Sequence, residues 1–148
     1  MGVVLFRDGK AMVFEASATV TYTPFAAWTA RGSGGVYVIE RLKDASVMTA
    51  TNIEKLKFAA KALEGRPYDL TFEWSDTKMY CSELVWKLYD RALGIQIGKP
   101  AKLKDFDLSS PAVKQKLRER YADKPPLDEE VISPQAIFES PLLEQVAQ

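Results

Sequence analysis

The sequence predicts an α+β fold in which an antiparallel sheet packs against helices. Residues typical of strands are concentrated in the first third of the chain, in β-branched and aromatic runs at 3–6, 11–16 and 36–42. Helical patterns dominate the remainder, so strands and helices are segregated rather than alternating, which is typical of α+β domains. With 148 residues, 47% of them hydrophobic, the chain suits one domain covering residues 1–148.

The predicted strands begin with a hairpin. Asp8-Gly9 separates the first two runs and accepts the positive φ values of a tight turn, which predicts two antiparallel strands. Residues 18–22 predict a short third strand, after which Thr23-Pro24 opens a brief helix that ends at Arg31-Gly32. The nearly continuous apolar start of residues 36–42 predicts a central strand, buried on both faces at one end.

Two longer helices are expected in the middle of the chain. Thr51 and Glu54 fit a capping box, and apolar residues recur at helical spacing until Gly65, which predicts a helix from about residue 52 to residue 63. A loop with several aromatic residues then leads to a second helix. Its apolar stripe begins at Leu84, and Gly94 ends it.

The last third of the chain is expected to be mostly helical. Ser110-Pro111 and Ser133-Pro134 each combine an N-cap residue with proline at the first helical position. They predict a charged helix that ends near Tyr121 and a short last helix that ends near Phe138.

Composition excludes several classes of function. Twenty acidic and twenty basic residues give a net charge of zero, which provides no positive field for nucleic acid. No apolar run approaches the length needed to cross a bilayer, and no signal-peptide pattern opens the chain. One cysteine excludes an internal disulfide, and the absence of histidine disfavours a zinc site, so we expect neither a metal nor a cofactor.

Cys81 is the candidate nucleophile because it lies where the second long helix begins. Aligned peptide dipoles at a helix N-terminus favour the thiolate, which is the reactive form of cysteine. A lone cysteine is also commonly a small buried hydrophobic residue, and the sequence leaves that interpretation open. The usual partner of a catalytic cysteine is an imidazole, and the chain contains none.

Other polar residues are candidates for supporting roles. Glu15, at the end of the second strand, could orient an imidazole on the adjacent strand, or could simply face water. Tyr68 could direct its hydroxyl at an oxyanion, or could be an aromatic residue with a hydrated polar end. Asp69 and Asp76 could act as a general base or a metal pair, although no histidine or further cysteine completes a ligand set.

Several motifs together resemble a known family. They are Gly65-Arg66-Pro67-Tyr68-Asp69, Phe72-Glu73-Trp74-Ser75-Asp76, Tyr80-Cys81-Ser82-Glu83 with Val85-Trp86-Lys87, Phe106-Asp107-Leu108-Ser109 and Val131-Ile132-Ser133-Pro134. In this order they resemble the bacterial YiiX/YebB-like hydrolases, which are circularly permuted relatives of the NlpC-type cysteine peptidases. The resemblance implies a papain-like fold and extends from residue 2 almost to the C-terminus.

The resemblance also implies roles for individual residues. Cys81 matches the nucleophile, Glu15 the residue that orients the base, and Tyr68 the tyrosine near the oxyanion. The family's histidine precedes the cysteine, at or immediately before the position of Met1. We therefore expect this chain to lack its N-terminal strand, that histidine and an export signal. Truncation is favoured over decay to a non-catalytic protein or replacement of the imidazole, because Cys81, Glu15 and Tyr68 are all retained.

The expected function is that of a cysteine hydrolase or acyltransferase that forms an acyl-enzyme on Cys81 and is inactive without the missing histidine. The implied substrates are peptides, other amides or lipid esters, and the implied location is the periplasm. The exposed sheet edge could also promote self-association. The alternative is a non-catalytic module of the same fold that binds a peptide or a lipid.

Overall fold

Three antiparallel strands near the N-terminus form the principal sheet of this computed structural model, which describes residues 1–147. The strands are β1 (Val3–Arg7), β2 (Lys10–Ala16) and β3 (Val20–Pro24), in the order β1-β2-β3. The predicted hairpin is confirmed, and its turn uses Asp8 at φ 52° and Gly9 at φ 74°. The third strand is displaced by two residues from the predicted range.

The strand predicted at residues 36–42 is shorter than expected, and it is not central. After α1 (Phe25–Thr29), only β4 (Ile39–Leu42) is extended and paired, and it forms a separate two-stranded sheet with β7 (Leu143–Ala147). Val36, at the apolar start of the run, is 67% exposed. Apolar content favoured a buried strand, but it carried no information about a partner that lies about a hundred residues away along the chain.

The helices follow the predicted pattern. They are α2 (Ala50–Leu63), α3 (Cys81–Leu93), α4 (Pro111–Tyr121) and α5 (Pro134–Phe138). Gly94 ends α3 at φ 67°, and Ser110 and Ser133 cap α4 and α5 as predicted. The capping box at Thr51 is wrong: α2 starts earlier, and Thr49 accepts a hydrogen bond from the Asn52 amide. Thr49 is extended and Thr51 is already helical, so only Thr49 has the backbone of an N-cap.

Two very short strands were not predicted. β5 (Ala101–Lys102) and β6 (Glu130–Val131) pair with each other and return the chain after α4 toward the start of α3. Strands of two residues have no recognisable periodicity, which explains why the sequence did not reveal them. With antiparallel sheets and segregated helices, the predicted α+β class is confirmed.

The hydrophobic core joins the principal sheet to α2 and α3. Its fully buried members include Phe14 on β2, Leu56 on α2, and Leu84 and Leu88 on α3. Every residue from Ser82 to Leu88 is buried, so the first half of α3 lies in the interior with only its beginning near the surface. None of the described helices is both long enough and apolar enough to cross a membrane.

Candidate active site

Cys81 is the first residue of α3, as the sequence predicted. The preceding residue, Tyr80, is extended at φ −97° and ψ 166°, so the helix begins abruptly at the cysteine. The Cys81 side chain is partly exposed, although the residues that follow it are buried. A partly accessible thiol at the positive end of a helix is suited to nucleophilic chemistry.

The fold brings Tyr68 to Cys81. Tyr68 and Met79 form a bridge, in which the Asp69 amide donates to the Met79 carbonyl and the Met79 amide donates to the Pro67 carbonyl, both at 3.0 Å. The bridge brings the Tyr68 hydroxyl close enough to the Cys81 thiol for the two groups to interact electrostatically. Burial raises the pKa of Tyr68, and the neighbouring Cys81 raises it further, so the hydroxyl keeps its proton at neutral pH and can donate it in a hydrogen bond.

The residues on either side of Cys81 anchor the start of α3 to the segment after β6. Ser82 Oγ donates to the Ile132 carbonyl at 2.7 Å, and the Ile132 amide donates to the Tyr80 hydroxyl at 3.1 Å. Both contacts are buried, so they exclude water and fix the backbone from which the thiol projects.

Glu15 is buried on β2, with 4% of its surface exposed. Its carboxylate accepts hydrogen bonds from Thr23 Oγ1 at 2.6 Å, Trp28 Nε1 at 3.0 Å and Arg31 Nη2 at 2.5 Å. In the described part of the chain it forms no hydrogen bond to Cys81 or Tyr68. Cys81 and Tyr68 therefore lie close together, whereas Glu15 belongs to a separate polar cluster with Thr23, Trp28 and Arg31.

Asp69 and Asp76 have separate structural partners. Asp69 is fully buried and accepts from the Thr71 and Glu73 amides at 2.7 and 2.6 Å, which closes a tight turn after Tyr68. Asp76 is paired with Arg91 at 2.5 Å, and its hydrogen bond to that guanidinium is the main cause of a lowered pKa. These partners leave neither carboxylate placed as a free general base.

A buried ion pair beside Cys81 was missed by the sequence analysis. Glu83 and Lys87, one helical turn apart on α3, are 0% and 5% exposed, and Lys87 Nζ lies 2.6 Å from Glu83 Oε1. Burial raises the pKa of Glu83 to about 7 despite the nearby ammonium. The sequence did contain one indication of this pair, because Glu83 and Lys87 are opposite charges four residues apart beside the apolar stripe of a helix.

The whole chain is similar to known proteins. Residues 1–147 match the family described as permuted papain-like amidase enzyme, YaeF/YiiX, C92 family. The chain is 48% identical over 146 residues to the uncharacterized protein YiiX of Escherichia coli strain K12, an alignment that covers 99% of this chain and 71% of that protein.

A solved structure has the same fold. It is described as the crystal structure of metalloprotein yiiX from Escherichia coli O157:H7, DUF1105, and it matches with a TM-score of 0.95 at 47% identity. The match covers 99% of this chain and 81% of the solved chain. The predicted papain-like permuted fold and the resemblance to YiiX-like hydrolases are thereby confirmed.

Proposed function

Because this chain belongs to the C92 family of permuted papain-like amidases, we propose that it cleaves an amide bond through an acyl-enzyme on Cys81. The observation that carries the proposal is that the Tyr68–Met79 bridge brings the Tyr68 hydroxyl close to Cys81 at the start of α3. In the proposed reaction Cys81 is the nucleophile and the Tyr68 hydroxyl is the oxyanion donor.

The reaction assigns a role to each group. The Cys81 thiolate attacks the substrate carbonyl carbon, a C–S bond forms, and the carbonyl π electrons move to oxygen. The Cys81 amide and the Tyr68 hydroxyl donate hydrogen bonds to that oxyanion. When the intermediate collapses, the C–N bond breaks and the amine leaves with a proton from the imidazolium, the protonated form of the general base. Water then hydrolyses the thioester, which releases the acid and restores the thiol.

The general base of this scheme is an imidazole that these 148 residues do not contain. Val3 pairs with Phe14, so antiparallel pairing places Gly2 opposite Glu15. Alternate residues of a strand share a face, so a residue directly before Met1 lies on the same face as Gly2 and Glu15. Of the two positions that the resemblance gave for the histidine, this register favours the one immediately before Met1.

The surroundings of Glu15 are compatible with such an imidazole. A cavity of about 390 Å³ lies on the face of the sheet that carries Glu15. It is lined by Gly2, Val13 and Trp28, and by Val85, one helical turn after Cys81 on α3. Glu15 Oε1 already accepts from Thr23 and Arg31, whereas among residues 1–147 Oε2 accepts from Trp28 alone and retains capacity for a second donor. Glu15 would therefore orient the imidazole from Oε2.

The proposal uses no metal. The solved relative is described as a metalloprotein. Within residues 1–147, no group of three or more His, Cys, Asp or Glu side chains is arranged to hold a metal ion. No step of the proposed reaction is therefore assigned to a metal.

The family favours peptide-type amides as substrates, and a periplasmic location remains a prediction. The second candidate function is a binding module of the same fold. The observation that favours it is the absence of histidine from a chain that keeps Cys81 and Tyr68.

Turnover of peptide amides distinguishes the two functions. A chain extended by Met-His before Met1 is compared with one extended by Met-Ala. We expect hydrolysis only with the histidine, and a decrease of about 100-fold in kcat for Tyr68→Phe, since one oxyanion donor is lost. Equal inactivity of both extended chains, with Cys81 still open to thiol reagents, supports the binding module.

A further inference from the structure

The Glu83–Lys87 pair lies at the junction between the cysteine helix and the loop that begins at Tyr68. Glu83 occupies the first turn of α3, where its Oε2 accepts from the Tyr80 amide at 3.3 Å. Its Oε1 has no aligned hydrogen bond in the described chain, so the contact with Lys87 Nζ is an ion pair. The Glu83 side chain thus joins the backbone before Cys81 to the Lys87 ammonium.

Lys87 extends the connection from α3 into the loop. Its Nζ donates to the Ser75 carbonyl at 2.6 Å and to Asp76 Oδ1 at 3.0 Å, and it lies 4.8 Å from the centre of the Trp74 ring. The ammonium is therefore surrounded by three oxygen atoms, from Glu83, Ser75 and Asp76, and an aromatic face. Two other side chains of α3 also contact residues 74–76: Arg91 pairs with Asp76, and the Trp86 ring packs against the Trp74 ring.

The loop held by Lys87 is closed by the bridge between Tyr68 and Met79. It leaves the bridge at Tyr68 and returns to it at Met79, immediately before Tyr80 and Cys81. Its conformation is not a relaxed one, because Phe72 has a positive φ of 53°. Lys87 holds the far side of this loop against α3, and Glu129 Oε1 accepts from the Trp74 amide at 2.7 Å from the side of β6.

We propose that Glu83 and Lys87 are positioning residues of the reactive site, which hold the loop against α3 so that the Tyr68 hydroxyl meets the Cys81 thiol. The pair acts through Tyr68 and does not touch the substrate. The inference rests on the proposed function only in treating Cys81 and Tyr68 as the reactive groups.

Other charged groups around the pair come from the same loop and from α3. Asp69 lies close enough to raise the pKa of Glu83 further, and Asp76 and Arg91 form an outer pair beside Lys87. Any pH-dependent measurement on the pair must therefore include these groups, which are left unchanged in the variants below.

The test is a double-mutant cycle on the reactivity of Cys81. Since Cys81 is the only cysteine, alkylation by iodoacetamide reports this thiol alone and needs no general base. The rate is measured against pH for the wild type, Tyr68→Phe, the double variant Glu83→Gln/Lys87→Met, and the triple variant. Both partners are changed together because removing one would leave a buried charge unpaired.

In the wild-type background, we expect Tyr68→Phe to slow alkylation at neutral pH by about fivefold, the effect of one hydrogen bond. In the double-variant background we expect little further change, because the hydroxyl no longer meets the thiol. The exposed pair Glu54 and Lys57 provides the control, and Glu54→Gln/Lys57→Met should leave the Tyr68→Phe effect intact.

The same slowing by Tyr68→Phe in both backgrounds would overturn the proposal, since the pair would then support only folding. No effect of Tyr68→Phe in the wild type would overturn it as well. If the double variant fails to fold, Lys87→Met alone takes its place in the cycle below pH 7, where burial keeps Glu83 protonated and no charge is left unpaired, with the same expected loss of the Tyr68→Phe effect. Because alkylation involves no acyl transfer, failure here is distinguishable from failure of the proposed amidase activity.

Discussion

Replacing Glu83 by glutamine should remove a pH-dependent contribution to the free energy of unfolding. Burial raises the pKa of Glu83 from 4.5 to about 7, so the folded chain binds this proton more tightly than the unfolded chain. For a raised pKa, the contribution to stability is complete below the unfolded value of 4.5, and it is lost as the pH rises through 7.

The size of the contribution follows from the two values. A shift from 4.5 to about 7, at about 1.36 kcal/mol per pH unit, corresponds to about 3 kcal/mol. The carboxylate is fully buried, so solvent screening does not reduce this figure greatly. The free energy of unfolding of the wild type, relative to Glu83→Gln, should fall by about that amount between pH 4 and pH 8.

The assay is urea unfolding followed by tryptophan fluorescence at closely spaced pH values. Asp76 does not obscure the result, because its pKa is lowered and its contribution is lost only on acidification below its ordinary value of 3.8. The exposed Glu54→Gln serves as the matched control and should run parallel to the wild type. If the wild-type curve stays parallel to that of Glu83→Gln, or rises relative to it, the assigned burial of this charge is refuted.

Two further predictions concern stability. Gly98→Ala should be more destabilising than Gly9→Ala by about 1–3 kcal/mol, because a Cβ at Gly98 would lie 2.4 Å from the Ala136 carbonyl oxygen whereas a Cβ at Gly9 would meet open space. Both glycines have a positive φ, so the backbone strain is matched. Equal losses of stability in thermal unfolding would contradict the contact at Gly98. Glu15→Ala should lower the free energy of unfolding by about 2–4 kcal/mol, since it leaves the indole N–H of Trp28 and two further donors without their acceptor. An unchanged midpoint in urea unfolding would show that this polar cluster adds nothing to stability.

Local chemical signals explain the parts of the fold that the sequence predicted. The Asp8-Gly9 turn, the N-caps Ser110 and Ser133, and the stop at Gly94 each act within a few residues, so each is visible in a short stretch of sequence. Cys81 at the start of its helix belongs to this group, because the end of the polar loop and the start of the apolar stripe lie beside it.

Contacts between distant segments could not be predicted in this way. Nothing near β4 specifies β7 as its partner, and nothing near Ser82 indicates the carbonyl of Ile132. The meeting of Tyr68 with Cys81 depends on a bridge at Met79 and was anticipated only through the resemblance to a family. Lys87 is buried because the loop folds over it, which no signal near Lys87 indicates.

The most direct test of the central claim is mass spectrometry of the peptide that contains Cys81. The Met-His-extended chain is exposed to an activated amide, and the mixture is quenched in acid before the peptide mass is measured. The account predicts an acyl adduct on Cys81 that is weaker in Tyr68→Phe and absent from the Met-Ala-extended chain. An unmodified Cys81 in the histidine-bearing chain, under conditions in which iodoacetamide alkylates it fully, would contradict the claim that this thiol is the nucleophile of an amidase.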